Sequence, residues 1–450
     1  MPNAPKIVTK RKISQAQKGL ADFNFTHDMI PEVQHPGLMR YRQSAWEAYL
    51  SLPFPILTDE PWRRTDIRGL KTEKFSINKN LQGVEKPPKR FLNPITTGED
   101  HVGQVISGAC ENLQFLEPSL IQQGVVFTDF CLAEQDHGEL LDSLLGQIVR
   151  PEEDKFTALA AALSADGVFL YVPKGIQIEH PLHSLYWGSG ENKAFINHIL
   201  IWLEEGASVT FVHESASPYS QSAEQLFHDG IVEIHVGKNA QLNFVELQSW
   251  GENVWSFTRE RAQVMGDGRL EWIFGAMGTH LTKNFSDIEL VERGALGRMS
   301  GFYFTSGDQH LDHDTQQNHL APDTASDLLY KGALSDGSRS VWQGMIYVAP
   351  GADGTDGYQA NRNLILSKNA RADSIPGLEI LADDVRCTHG ATVGKINDDE
   401  LFYLLSRGIP KKEAQKLIVI GFFAQIMDRI PFEGIQKRFT SAIEEKMSAR

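Results

Sequence analysis

The feature that most constrains the fold is a long succession of short β-rich runs between Gly167 and Val393. Each run is rich in β-branched and aromatic residues, and no strong helical period separates one run from the next. Such runs are typical of an all-β architecture. The clearest of them are Val168–Val172, His198–Leu203, Ser208–His213, Ile231–Val236, Leu242–Leu247 and Leu270–Phe274.

A recurring turn separates these runs, built on glycine or asparagine beside a small residue. Because another β-run follows each turn within a few residues, the recurrence predicts the coils of a β-solenoid core over residues 166–395. A β-sandwich made of hairpins is the alternative, since the pattern alone does not separate parallel from antiparallel pairing. The turns are Glu205-Gly-Ala207, Lys238-Asn-Ala240, Gly266-Asp-Gly268, Arg293-Gly-Ala295, Pro350-Gly-Ala352 and Lys368-Asn-Ala370.

The region before the solenoid, residues 1–165, is predicted to be mostly helical and to contain a linker. An early helix can place Trp46 and Leu50 on one face, because residues four apart are neighbours on a helix surface. The lysine- and proline-containing stretch 78–94 is predicted to be a linker or surface loop. The other predicted elements are a strand at 124–130 and helices at 140–149 and 156–163.

A helical region, residues 396–450, is predicted to follow the solenoid. Asn397 or Asp398 can cap its first helix, and a second helix runs from Pro410 to about Asp428. The second helix is apolar on more than one side, so it needs burial on two fronts. One front is the solenoid of this chain and the other is a partner protein. The residues assigned to partner binding are Leu401, Leu405, Leu417, Phe422, Phe423 and Ile426.

Cys387 and His389 are the candidate metal ligands. In an extended chain they share one face with Val385, about 7 Å apart. In the same extended chain, Leu378 and Ile380 would face the opposite side, which predicts a bulge or turn at Asp383-Asp384. A thiol and an imidazole both bind soft or borderline metals, but two ligands do not complete a site. The alternative is a small buried hydrophobe beside a hydrogen-bonded core histidine.

Composition excludes several classes of partner. The 450 residues carry a net charge of −15, which argues against nucleic acid or an anionic membrane. The three cysteines, Cys110, Cys131 and Cys387, form no C-x-x-C pair, as is usual for a reduced, cytoplasmic protein. Cys110 and Cys131 are predicted to be small buried side chains. Three thiols do not supply a four-thiolate cluster.

The densest polar cluster is Asp308-Gln-His-Leu-Asp-His-Asp314, followed by His319. One hypothesis is a metal or acid–base site on a β-helix, as in enzymes that cleave polysaccharides. The alternative is a polar turn whose aspartates accept hydrogen bonds from backbone amides. The sequence contains no Walker P-loop and no nucleophile elbow, so any ATP hydrolysis must come from another chain.

Several long, ordered stretches resemble the SufD family, the non-catalytic scaffold subunits of the SufBCD iron–sulfur cluster assembly complex. The resemblance runs from about Trp62 to the end of the chain. It implies a right-handed parallel β-helix core, which favours the solenoid over the sandwich. The matching stretches are Gln359-Ala-Asn-Arg-Asn-Leu-Ile-Leu-Ser367, Leu378-Glu-Ile380, Asp383-Asp-Val-Arg-Cys-Thr-His-Gly-Ala-Thr-Val-Gly394 and Leu401-Phe-Tyr-Leu-Leu-Ser-Arg-Gly-Ile409.

The same resemblance implies partners and a role. It implies pairing with SufB through the C-terminal end of the solenoid and docking of the SufC ATPase on the C-terminal helices. Iron or a nascent cluster would then be shared with SufB at Cys387 and His389, and ATP would enter only through SufC. It further implies a cytoplasmic location, or the plastid stroma in a photosynthetic eukaryote.

A comparison within the family limits what this chain does alone. SufB is similar over the same region, with a cysteine in the strand that corresponds to Asn361–Leu364 and Glu-His-Glu in place of Cys387-Thr-His389. The matching strand here offers no thiolate, so the missing ligand is expected from SufB. Two alternatives stay open: a β-helix carbohydrate-active enzyme that uses Asp308–Asp314, and a homodimeric scaffold without a metal.

Overall fold

The computed structural model describes residues 20–77, 85–88, 91, 101–108, 113–218, 224–430 and 433–448. Two regions singled out in the sequence therefore lie wholly or mostly outside the described residues: Cys110 and the predicted linker at 78–94. Within the described residues, no helix combines the length and the apolar character needed to cross a bilayer.

The described residues before the solenoid form helices and four strands. Trp46 is buried as predicted, but Leu50 is 65% exposed, so only part of that helix face packs against the protein. The α-helices are Pro36–Ser51, Pro118–Gln122, Phe130–Asp136, Gly138–Leu144 and Lys155–Leu163, and the short 3-10 helices are His27–Met29, Glu60–Trp62, Thr72–Lys74 and Pro151–Glu153. The strands are β1 (Ser76–Ile77), β2 (Gly103–Ser107), β3 (Leu113–Leu116) and β4 (Val126–Asp129).

Sixteen further strands wind into a β-solenoid of about eight turns. The clearest runs in the sequence all lie in these strands, which are longer than the runs predicted. The strands are β5 (Asp166–Val172), β6 (Leu182–Trp187), β7 (Lys193–Leu203), β8 (Ser208–Ala216), β9 (Leu226–Val236), β10 (Gln241–Ser249), β11 (Val254–Val264), β12 (Arg269–Ala276), β13 (Leu281–Leu290), β14 (Leu296–Thr305), β15 (His310–His319), β16 (Ala325–Leu334), β17 (Arg339–Val348), β18 (Thr355–Ile365), β19 (Arg371–Ile380) and β20 (Val385–Lys395).

Alternate strands of the solenoid build two facing sheets. Odd-numbered strands from β5 to β19 form one sheet, here sheet A, and even-numbered strands from β6 to β20 form the other, sheet B. Every described pairing among these sixteen strands is parallel, which excludes a sandwich of hairpins. Each turn of the chain therefore adds one strand to each sheet.

The recurring turn forms the corners of the coils. Gly206 and Asn239 both have a positive φ, which glycine adopts freely and asparagine tolerates better than most residues. The amide of Gly206 donates to the carbonyl of Lys238 in the next coil, over 2.8 Å. The alanines that follow, Ala207 and Ala240, are buried. Successive turns thus stack on one another, and the small residue fits the crowded interior of the corner.

Helices cover the outer faces of both sheets. The helix Lys155–Leu163 is buried along its whole length in a cluster that includes residues of sheet A. Three C-terminal helices, here named first (Asp398–Ser406), second (Lys411–Met427) and third (Glu433–Ser448), follow β20. Asn397 caps the first helix as predicted, its side chain accepting from an amide of that helix's first turn. The third helix lies within the predicted helical region 396–450, but its own bounds were not predicted.

The two ends of the solenoid differ. At the N-terminal end, β3 and β4 each pair antiparallel with a neighbour, and they end the parallel stacking. At the C-terminal end, β19 and β20 each have a single described strand neighbour, β17 and β18 respectively. This second end, here named the open end, leaves the last coil without a covering layer among the described residues.

Candidate functional site

Cys387 and His389 lie on β20, at the open end. β20 pairs in parallel with β18, and the residues directly opposite Cys387 and His389 are Gly357 and Gln359. The sequence comparison had instead set Asn361–Leu364 beside them. In the structure those residues lie opposite Ala391–Gly394, further along the strand. The neighbours of the candidate ligands are thus one glycine and one amide.

The Cys387 side chain is half-buried. It packs with Val385 against a small cluster formed by Ile346 and Val348, and burial raises the pKa of its thiol. A Cβ atom built on Gly357 would lie 3.2 Å from the Cys387 sulfur and 3.4 Å from Nε2 of His319. Glycine at this position therefore leaves the sulfur room to settle toward the interior.

The His389 side chain, by contrast, is exposed. Exposure leaves an imidazole free to bind a metal ion or a second protein. In the described residues, no group of three or more histidine, cysteine, aspartate or glutamate side chains is arranged to hold a metal ion. Cys387 and His389 therefore supply two of the ligands that a site would need, and the others must come from elsewhere.

A layer of buried amides lies beneath the last coil, and the sequence analysis did not assign it. Gln359, Asn361 and Asn363 alternate along β18 and are all buried. Gln359 Nε2 donates to the carbonyl of Gly377 on β19 over 2.8 Å, so this side chain joins sheet B to sheet A. The alternation of amides at every second residue of Gln359-x-Asn-x-Asn363 was the available signal.

Apolar side chains surround the candidate ligands at the open end. Leu381 and Val393 are about half exposed, and Leu378 and Ile380 are each more than a third exposed. Exposed apolar side chains beside strand edges that have no described neighbour are typical of a surface that binds another protein. The turn predicted between Ile380 and β20 is present and carries the chain from sheet A to sheet B.

The predicted partner-binding residues divide into two sets. Phe423 and Ile426 are fully buried, packed with Phe302 and other residues of sheet B, so they cannot contact a second protein in this arrangement. Phe422 is partly buried beside them. Leu405 and Leu417 are exposed, and Leu401 is intermediate.

The first C-terminal helix is the most exposed element of this region, because none of its residues is buried. Two of its side chains that sequence reasoning did not assign, Phe402 and Tyr403, are 71% and 56% exposed. The signal for them was the uninterrupted apolar stretch Leu401–Leu405, which no two-turn helix can bury on one side. A shallow groove runs between this helix and Leu417 of the second helix.

The polar cluster around Asp308–Asp314 begins in a turn at Asp308 and continues into a strand. Most of it lies in β15, where Asp312 and Asp314 face outward beneath the N-terminal segment. Lys283 Nζ lies 3.0 Å from Asp312 and 2.7 Å from Asp314, and it donates to the carbonyl of Pro61 over 2.6 Å. The prediction of a polar turn was therefore wrong for Asp312 and Asp314, and these aspartates bind a buried lysine instead.

Two histidines of that cluster point the other way, into the solenoid. His313 is fully buried, and neither ring nitrogen has a hydrogen-bond partner among the described residues. Burial lowers the pKa of His313 to about 3. His319 is held by hydroxyl groups of Thr324 and Ser326, each 2.8 Å away. The cluster therefore keeps His313 and His319 away from its aspartates, whereas His310 shares one partner, the Thr65 hydroxyl, with Asp312.

Cys131 is exposed, so the prediction that it is a buried side chain was wrong. It lies near the N-terminus of the helix Phe130–Asp136, whose cap is Asp129. Although the residue is exposed, partial desolvation of its sulfur atom and the nearby Asp129 carboxylate raise the pKa of the thiol. Cys131 is therefore not an activated nucleophile.

Comparison with known proteins gives two matches to family descriptions. "SUF system FeS cluster assembly, SufBD core domain" matches residues 186–422, and "SufBD protein N-terminal region" matches residues 14–183. Together they cover most of the chain, including almost all of the solenoid, the first C-terminal helix and the second helix as far as Phe422.

Individual relatives agree with these matches. A Bacillus subtilis protein described as iron-sulfur cluster assembly protein SufD is 33% identical over 334 residues, 74% of this chain and 76% of the relative. A Staphylococcus saprophyticus protein described as an iron-sulfur cluster assembly SufBD family protein is 33% identical over 319 residues, 71% of this chain and 68% of the relative.

Proposed function

Because the chain belongs to the SufBD family of iron–sulfur cluster assembly proteins, we propose that it is a SufD-type scaffold subunit without catalytic activity of its own. In this proposal it pairs with SufB through the open end and docks the SufC ATPase on its C-terminal helices. The observation that carries the proposal is the open end itself, where Cys387 and His389 stand among exposed apolar side chains.

Two features support pairing at the open end. The last strands, β19 and β20, have unpaired edges, and exposed apolar side chains lie beside them. Cys387 and His389 also need further ligands to bind iron or a nascent cluster. A homologous scaffold that docks there would cover the apolar surface and supply the missing ligands at the same time. Iron or the cluster is then cargo held between two subunits.

We expect His389→Ala to lower the cluster yield of the co-expressed complex by about tenfold, since the loss of an outer-shell partner alone has an effect of that size. Cys387→Ala is expected to have a smaller effect, because its thiol is half-buried and SufB supplies a cysteine of its own. Iron and acid-labile sulfide would be measured per assembled complex.

The matched control is Thr388→Ala, because Thr388 lies between the two ligands, is exposed and faces the opposite side of β20. This variant should load clusters like the wild type. Wild-type yields from both His389→Ala and Cys387→Ala would show that the pair has only a packing role. A change in the amount of complex, with normal loading, would assign the residues to subunit association instead.

The exposed apolar groove supports ATPase docking on the C-terminal helices. We expect Leu417→Glu and Phe402→Glu each to weaken SufC binding by at least about tenfold, because a charge would replace an apolar contact. Affinity would be measured by calorimetry with purified SufC. Leu50→Glu is the control, since Leu50 is equally apolar and exposed but lies on an N-terminal helix. Unchanged affinity in both groove variants would contradict docking at this surface.

The enzyme alternative has little structural support. Asp312 is buried and bound to Lys283, and Asp314, which lines a surface pocket, is bound to the same lysine and to Gln343, so neither carboxylate is a free acid–base group. The homodimer alternative uses the same open end and differs only in the second subunit. Native mass spectrometry of the chain alone and with SufB separates the two assemblies.

A further inference from the structure

The groove between the first and second C-terminal helices has a distinctive charge. Its lining combines the apolar or aromatic side chains of Tyr403, Leu404, Leu417 and Ile418 with the carboxylates of Asp399 and Glu400, and it contains no basic residue. Apolar area supplies most of the attraction in a docking surface, whereas fixed charges decide which partner approaches and how fast.

Among the described residues, these carboxylates form no ion pair with another part of the chain. Asp398, Asp399 and Glu400 are all exposed, and among the described residues none of them has an ion-pair partner. Elsewhere on the surface, acidic side chains such as Asp327 and Asp373 are paired with arginines of neighbouring strands. The three carboxylates beside the groove are therefore available to a second protein.

Their position in the first turn has a local explanation that covers only part of the observation. Carboxylates near a helix N-terminus are stabilised by the helix dipole, each by about 0.3–1 kcal/mol. The dipole accounts for acidic residues in that turn. It does not account for an apolar groove that opens directly beside them and remains uncovered by the chain itself.

We propose that the groove receives a segment of the ATPase subunit that inserts an apolar side chain between the two helices and places lysine or arginine against Asp399 and Glu400. This inference rests on the proposed function, because it specifies the chemistry of the partner at the docking surface. Charge complementarity selects a basic segment, since an acidic one would be repelled by three unpaired carboxylates.

The test is the double charge reversal Asp399→Lys and Glu400→Lys in the full chain. Purified SufC would be the probe, with association and dissociation rates measured at about 50 mM and about 300 mM salt. We expect the reversal to slow association and weaken binding by about tenfold at the lower salt concentration. The difference should shrink to about threefold or less at the higher one, because salt screens exposed charges.

The matched control is the double variant Glu47→Lys and Glu139→Lys. It makes the same change in net charge at two exposed glutamates on helices that precede the solenoid. Normal affinity in the control together with weak, salt-dependent binding in the groove variant would support the proposal. Equal loss in both variants, or no loss in either, would overturn it.

Failure of this inference is distinguishable from failure of the proposed function. If Leu417→Glu and Phe402→Glu weaken binding but the charge reversal does not, docking holds and the basic partner segment is wrong. If none of these variants weakens binding, the ATPase docks elsewhere. In that case both the proposed docking surface and the basic partner segment are wrong.

Discussion

Replacing Lys283 by alanine is expected to destabilise the protein by about 3–5 kcal/mol, the range for removing one partner of a buried ion pair. The lysine side chain has no exposed surface, and the same is true of Asp312. Without Lys283, the carboxylates of Asp312 and Asp314 would be left close together without the lysine ammonium group between them. The carbonyl of Pro61 would lose the closer of its two donors and keep only the longer hydrogen bond from Gln343.

The loss of stability in Lys283→Ala should extend beyond sheet A. Thr65 donates to Asp312, and Lys283 binds Pro61, so the lysine and its aspartates fasten the N-terminal segment to the middle of the solenoid. Chemical denaturation followed by tryptophan fluorescence would measure the change in unfolding free energy. Lys174→Ala is the control, because Lys174 pairs with Glu205 in solvent and should contribute at most about 1 kcal/mol. Similar effects of the two substitutions would contradict this description of Lys283.

Replacing His313 by phenylalanine is expected to stabilise the protein, and increasingly so as the pH falls. The imidazole has two buried nitrogens without partners, each costing about 1–3 kcal/mol, and aromatic rings of Phe274, Tyr303 and Tyr330 surround it. Phenylalanine suits these surroundings. Its larger volume can cost about 1–3 kcal/mol in a packed core, which partly offsets the gain.

The dependence of the unfolding free energy on pH separates the effect of the imidazole from this packing cost. The pKa of His313 is lowered to about 3 in the folded protein, against about 6.5 in the unfolded chain. Below pH 6.5 the unfolded chain binds a proton that the folded protein excludes, so the wild type loses about 1.4 kcal/mol per pH unit relative to the variant. The unfolding free energy of both proteins would be measured at pH 7.5 and pH 5.

Between those two pH values the advantage of His313→Phe should grow by about 2 kcal/mol. The packing cost is the same at both, so it cancels in the comparison. The surface control is His27→Phe, because the His27 ring is exposed and this variant makes the same substitution outside the core. A constant difference between wild type and His313→Phe would mean that the imidazole is solvated or protonated in the folded protein.

The solenoid was predictable because its signal is local. A residue that tolerates a positive φ, followed by a small one such as Ala207 or Ala240, identifies several of the corners. The direction of pairing was not predictable from the pattern, since parallel and antiparallel strands have the same side-chain alternation. Family resemblance supplied that direction, and the register then set Gln359 beside His389.

The features that sequence reasoning missed depend on distant residues. Asp312 lies in a strand, not in a turn, and its outward face is covered by Pro61–Thr65, some 250 residues earlier. Polar residues therefore occur on both faces of β15, which hides the strand pattern. The burial of Phe423 and the exposure of Phe402 are likewise decided by how the C-terminal helices lie on sheet B.

The different ends of the solenoid limit how far such molecules can assemble. A solenoid that can bind another copy at both ends adds subunits indefinitely and grows into a fibre, as proteins with open strand edges do in aggregates. Here the antiparallel strands β3 and β4 end the parallel stacking on one side, whereas β19 and β20 leave parallel strand edges at the other end of the described solenoid. When two such solenoids join by their open ends, each open end is covered by the other, so this interface adds no third subunit.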